Sequence, residues 1–193
     1  MKLLLPVLAL MILSSCGIQS IPQQKNEVEA TMAEITNQYK RRADLIPNIV
    51  TTVKGYASHE KETLQGVVEA RAKATSIQID PKNMTTEKFQ EYRKAQGDLS
   101  MALGKLMSIT ENYPNLKADR GFLDLQAQLE GTENRITVAR NRYIESIKGF
   151  NNLVTVPPTS FVNSIIYRHE KMPQWDVAES EKAQNEKAPD VKF

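Results

Sequence analysis

A row of apolar residues returns at every seventh position along Phe122, Leu129, Ile136, Tyr143 and Phe150. Two turns of α-helix take about 7.2 residues, so this row stays on one helical face for four heptads and needs a long helical partner to cover it. Beside it Leu125, Thr132, Ala139 and Ser146 form a second row, mostly small, that permits close helix approach. The same spacing recurs upstream. Val28, Met32, Ile35, Tyr39, Ile46, Ile49, Val53 and Tyr56 follow at threes and fours, with Arg42 in the one polar slot of the series. Leu64, Val67, Val68, Arg71 and Ala74 give a shorter stripe, and Phe89, Tyr92, Gln96, Leu99, Leu103, Leu106, Thr110 and Tyr113 the cleanest one.

These stripes predict four helices, at about residues 25–57, 60–77, 86–112 and 116–152. Pro47 would ordinarily end a helix. The phase runs unbroken across it, which favours one long first helix, kinked near Asp44–Pro47, over two helices with Asp44 as N-cap. Thr85 or Thr86 is placed to cap the third helix, Tyr113-Pro114 to stop it, and Pro157-Pro158 to end the fourth. No segment sustains period-two alternation, so no sheet is expected. The fold class predicted is all-α, an antiparallel up-down-up-down four-helix bundle spanning residues 25–153 with a long kinked first helix. Residues 154–178 form an extension in which Phe161, Ile165 and Trp175 either pack back on the bundle or anchor a partner; residues 179–193 are charged and expected to be disordered.

The N-terminus carries an address. Lys2 precedes an eleven-residue apolar run, Leu3 to Leu13, of signal-peptide length. As a helix it would reach only about 17 Å against roughly 30 Å of bilayer hydrocarbon. Ser14-Ser15-Cys16 after it resembles a bacterial lipobox, in which the cysteine is lipidated and begins the mature chain. The alternatives are an uncleaved interfacial anchor and a buried free cysteine. On the lipobox reading residues 1–15 are a signal peptide and 16–24 a lipidated Cys16 with a short polar tether. Gly17 stands where the common aspartate retention signal would, so in a cell with two membranes the outer one is favoured. Cys16 is the sole cysteine, so its lipidation leaves neither disulfides nor thiolate metal sites. Loss of Lys2 from 25 Lys+Arg leaves a near balance against 23 Asp+Glu, and neither that balance nor export suits a nucleic-acid partner.

Known reaction chemistries find few footholds. His59-Glu60 and His169-Glu170 each open like a zincin helix, but Thr63 and Pro173 occupy the position of the second histidine. Di-iron bundles use Glu-x-x-His, whereas Tyr56 and Ile166 stand three before the two histidines. Phosphate-loop, dinucleotide and Gly-x-Ser-x-Gly signatures are absent, and no cofactor is expected. Arg41, Arg42, Asp44 and Pro47 are the polar group that remains. A guanidinium at Arg42 could bridge the carbonyl that Pro47 frees and a nearby carboxylate, while Asp44 caps a restarted turn. The functional alternative is a recognition notch for a partner or anion. Lys54, Lys61, Arg71, Lys73, Arg140 and Arg142 read as solvated faces.

Arg41-Arg42-Ala43-Asp44-Leu45-Ile46-Pro47-Asn48, continuing through Val53-Lys54-Gly55-Tyr56 and His59-Glu60-Lys61-Glu62, closely resembles the bacterial LemA family. Val67-Val68-Glu69-Ala70-Arg71-Ala72-Lys73-Ala74 and Ala139-Arg140-Asn141-Arg142-Tyr143 belong to the same pattern, and the likeness extends over about residues 22–176. The resemblance implies a membrane-attached, mostly helical extracytoplasmic domain and brings no catalytic residues. Two departures stand out. Many relatives look anchored by a transmembrane helix where this chain has the lipobox. The family's Gly-Phe run and Lys-Pro-Tyr-Phe are replaced here by Tyr167-Arg-His and Met172-Pro-Gln-Trp175. The function expected is a lipid-anchored, non-catalytic scaffold or adaptor for envelope membrane proteins, with a homo-oligomer left open. An interfacial enzyme or cofactor-binding bundle using the groove near Arg42 is the alternative.

Overall fold

The computed structural model describes residues 4–80 and 85–175, with side chains described from Ile18 onward. The side chains of the expected signal peptide and of Cys16, and the expected tail at 179–193, lie outside the described residues. Six α-helices and one π turn occur in the order α1 (Leu4–Tyr56), α2 (Lys61–Ser76), α3 (Thr86–Thr110), α4 (Pro114–Lys117), α5 (Arg120–Thr155), α6 (Thr159–Val162) and the π turn Asn163–Tyr167. Among the described residues there is no strand. The protein is all-helical. α1 packs chiefly along α5, α2 along α3, and α2 also lies on α1.

Two boundaries and one buried position differ from expectation. The stretch at Gly17–Gln23, expected to be a tether, is helical, and Ile21 is fully buried. Ile21 lies one heptad before Val28, so the apolar phase of the first stripe already reaches back to it. The fourth long helix starts at Arg120, not 116. Pro114 opens the four-residue α4, whose Leu116 is buried, and the Asp119 carboxylate restarts the chain as N-cap by accepting from the Phe122 amide at 2.8 Å. Val68, counted in the second stripe, stays half exposed. Thr85 caps α3 as expected, its hydroxyl accepting from Lys88 N at 3.3 Å.

α1 continues through both Pro22 and Pro47, so the single-helix alternative holds over the two-helix one. A proline donates no N–H to the carbonyl four residues back, which strands the carbonyls of Ile18 and Ala43. Both find donors outside the helix. Arg71 Nε of α2 donates to Ala43 O at 2.7 Å, and the Tyr167 hydroxyl of the π turn donates to Ile18 O at 2.8 Å. The donor expected for the Pro47 carbonyl was Arg42; Arg71 takes that role, because α2 crosses α1 there.

The buried apolar side chains form two clusters. One gathers Ile46, Ile49 and Val53 of α1 with Val67, Leu99, Leu106, Leu116 and Phe122. The other gathers Ile21, Val28, Met32 and Ile35 with Phe89, Tyr92, Ile136, Tyr143 and Phe150. Between Tyr39 and Ile46, where one cluster gives way to the other, α1 presents Arg42.

Arg71→Met keeps most of the packing stem but leaves Ala43 O without its donor, and should cost about 1–3 kcal/mol in urea unfolding. In a Pro47→Ala background the restored helical N–H serves that carbonyl. The cost of Arg71→Met should then shrink by about 1 kcal/mol in the double-mutant cycle; equal costs in both backgrounds would refute the account.

Candidate functional site

Arg42 is 1% exposed, which makes it the largest fully buried side chain and puts a charge where water cannot reach it. Burying an unpaired guanidinium would be prohibitive, so its donors must be met inside. Four of them are. Nη1 donates to Ser100 Oγ at 2.7 Å and to Glu133 Oε1 at 2.9 Å. Nη2 donates to Gln96 Oε1 at 2.7 Å and to Gln96 O at 3.1 Å. Its guanidinium carbon also lies 4.9 Å from the Tyr39 ring centroid, over the electron-rich face. Gln96 passes the connection on, donating through Nε2 to Ala74 O near the end of α2 at 3.2 Å. A single polar layer therefore joins α1, α2, α3 and α5. Glu133 keeps 40% of its side chain in solvent, so the counter-charge is hydrated while the cation is not.

The expected site residues part company here. Arg41 is exposed and borders a shallow depression with Asp124, Gln128 and Arg135. Asp44 is exposed and caps nothing, because the helix does not restart at Pro47. Pro47 acts through Ala43 O rather than through Arg42. Arg42 does not itself open onto the surface: its side chain is enclosed and its Nη donors are directed inward. Sequence reasoning missed Ser100 and Glu133. Gln96 carried a signal, since it is a polar residue inside the cleanest apolar stripe.

A second construction lies at the other end of the chain, where residues 168–175 run back as a strap along α5. Asn151 holds it at two points, donating from Nδ2 to Met172 O at 3.0 Å and accepting at Oδ1 from Met172 N at 2.9 Å. Asn163 does the same at His169, with 2.9 Å to His169 O and 3.0 Å from His169 N. Trp175 packs edge-on against Phe89 (5.3 Å) and Tyr143 (6.0 Å), with Arg93 and Arg140 over its ring at 5.3 and 5.2 Å. Trp175 thus packs back on the helices, whereas Phe161 and Ile165 point outward, 65% and 74% exposed. His169 stacks on Tyr167 with rings 5.8 Å apart, and leans on Phe150. Burial and the nearby Lys25 cation both hold the His169 imidazole below its ordinary pKa. Arg71 and Arg140, read from sequence as solvated, serve the interior instead.

His59 lies in the exposed turn before α2, and Thr63 beyond it is buried in the helix. Among the described residues no three His, Cys, Asp or Glu side chains converge as a metal site would need, and no helix is long and apolar enough to cross a membrane.

The molecule is thus an elongated helical protein, locked by an internal cation and closed by a docked C-terminal strap. The LemA family sequence model matches residues 31–193, and the chain belongs to the LemA family. It is similar to the protein LemA of Metamycoplasma hominis, 24% identical over 132 residues that make up 68% of this chain and 57% of the relative. The chain therefore covers little more than half of that relative's length.

Arg42→Leu strands Gln96 Oε1 and should lower stability by about 2–4 kcal/mol in urea unfolding. Adding Gln96→Leu should recover part of that loss, since removing both partners costs less than removing one. The strap should respond to acid. The folded-state His169 pKa lies below its unfolded value of about 6.5, so the stabilisation is complete above that pH and declines as pH falls through it. The protection factor of the Met172 amide, taken relative to the intrinsic exchange rate at each pH, should therefore fall as pH drops below about 6.5, and His169→Gln should flatten that change.

Proposed function

We propose that this LemA-family chain is an exported lipoprotein, held to a membrane through Cys16, that serves as a non-catalytic scaffold or adaptor for proteins of the cell envelope. Its long helices run up and down around the α1–α5 seam, and in a cell with two membranes the outer one is its place. The observation that carries this reading is that α1 runs from Cys16 into the packed core without a break. Ile21 is already fully buried, and Ile18 O is bonded to Tyr167. A lipid on Cys16 would then sit two residues from a point tied to the body of the protein, and the body would be held stiffly rather than on a leash. From Ile18 to Tyr56 the helix extends roughly 57 Å at 1.5 Å per residue. A rod of that length offers long outer faces for membrane proteins beside it.

The interior supports a binding role rather than a reaction. Its buried cation is bonded to neighbours in the same chain, and the depression beside Arg41 is shallow and open. Partner recognition then falls to the outer faces, among them the Arg41–Asp124–Arg135 depression, which mixes both signs of charge.

Mass spectrometry of the N-terminal peptide from native membranes should find a diacylated Cys16 as first residue, and Cys16→Ala should keep the leader. An unmodified thiol would defeat the lipoprotein reading. A photo-crosslinker at position 41 should capture membrane proteins that one at the distal position 105 does not; equal capture at both would defeat the assignment of that face.

A further inference from the structure

One end of the molecule exposes more apolar surface than its packing uses. Phe161 is 65% exposed, Ile165 74%, Ile166 54% and the nearby Val156 52%. Phe161 stands four and five residues before the two isoleucines, on a helical turn that widens into π geometry, so the three share one side. Other exposed apolar residues, such as Met101 and Val138, stand singly on the long helices.

Charge is missing from this end. The chain has no ionisable side chain other than Cys16 between Leu3 and Gln24, and none at all ahead of Tyr167 from Gly149 onward. Two contacts bring these stretches together: Tyr167 donates to Ile18 O at 2.8 Å, and Gln24 Nε2 donates to Ser146 O at 3.0 Å. Gly149 allows the second, since a Cβ there would meet the Gln24 amide at 2.8 Å. The exposed cluster therefore adjoins the Cys16 end of α1, since Ile18 is about 3 Å along the helix axis from Cys16. Arg168 follows the cluster directly, where a cation suits lipid phosphates, and Glu170 and Lys171 offset each other just beyond it.

We propose that the tip formed by Val156, Phe161, Ile165 and Ile166 is a second membrane contact, inserted at the boundary between headgroups and acyl chains of the bilayer that holds the N-terminus. The inference rests on the anchored reading above and deepens it. Continuity selects lipid as the occupant: the same uncharged end that carries the attachment point carries the unpaired apolar side chains. The tip lies in the interface plane and does not span. The short link from Cys16 fixes how far the rod stands from the bilayer, and the second contact at the π turn fixes its tilt.

The lipidated mature protein, purified from native membranes and reconstituted in phosphatidylethanolamine–phosphatidylglycerol vesicles, tests this with Ile165→Trp and, on the long helix α3, Met101→Trp. Wild-type protein supplies the Trp175 background to subtract. With brominated acyl chains the emission added by Ile165→Trp should shift to the blue and lose most of its intensity, while that added by Met101→Trp should keep it. Vesicle-bound protein whose Ile165→Trp emission stays unquenched overturns the proposal and leaves the anchor standing. A blue shift without quenching, together with a dimer by crosslinking, overturns it in favour of a second copy on the tip. Wild-type protein that fails to float with vesicles overturns the anchored reading and this one with it.

Discussion

A proline inside a helix strands the carbonyl four residues before it, and α1 contains two such prolines. The architecture follows from how those carbonyls are served. Ala43 O is served by Arg71 and Ile18 O by Tyr167. Each donor comes from a different element, so the gaps in the α1 ladder become the points at which α2 and the π turn are fastened. Without them α1 would keep its apolar stripe but lose the two directional contacts that say where along it the neighbours sit. The long helix is therefore a spine whose irregularities serve assembly.

The polar layer solves a different problem. A core of only interdigitated aliphatic side chains tolerates sliding, because one heptad resembles the next. Arg42 does not tolerate it. Its four bonds reach α3 and α5, and Gln96 extends them to α2. The two apolar clusters on either side supply bulk burial, and the layer supplies specificity. Exposure of Glu133 moderates the electrostatic cost, since only one of the two charges is fully desolvated.

The sequence foretold the long stripes well because period and phase are local properties. Phe122 to Phe150 and Val28 to Tyr56 lie in helices as their spacing required, and Thr85 caps where expected. Continuity across Pro47 could be read from phase alone. The tether could not be told from helix, because Gly17–Gln23 is polar on average and only Ile18 and Ile21 betray its phase. The partners of Arg42 lie 54, 58 and 91 residues away, and spacing along one helix says nothing about which residues arrive from another. The same limit hid the strap: Asn151 looks like a surface amide until Met172 returns to it across 21 residues. Trp175 was an open choice for the same reason, decided by Arg93 and Arg140 on neighbouring helices.

Arg168 adopts φ 52, the sole left-handed non-glycine residue among those described, and its amide reaches back to Asn163 O. That conformation typically costs an L-residue about 1 kcal/mol or more. A glycine or asparagine would sit there at lower strain, yet either would forfeit the cation. The hairpin bend in the chain and the positive charge beside the greasy tip are thus obtained from one side chain. The corner trades backbone ease for surface electrostatics, and glycine at position 168 would relax the bend while blunting the edge of the tip.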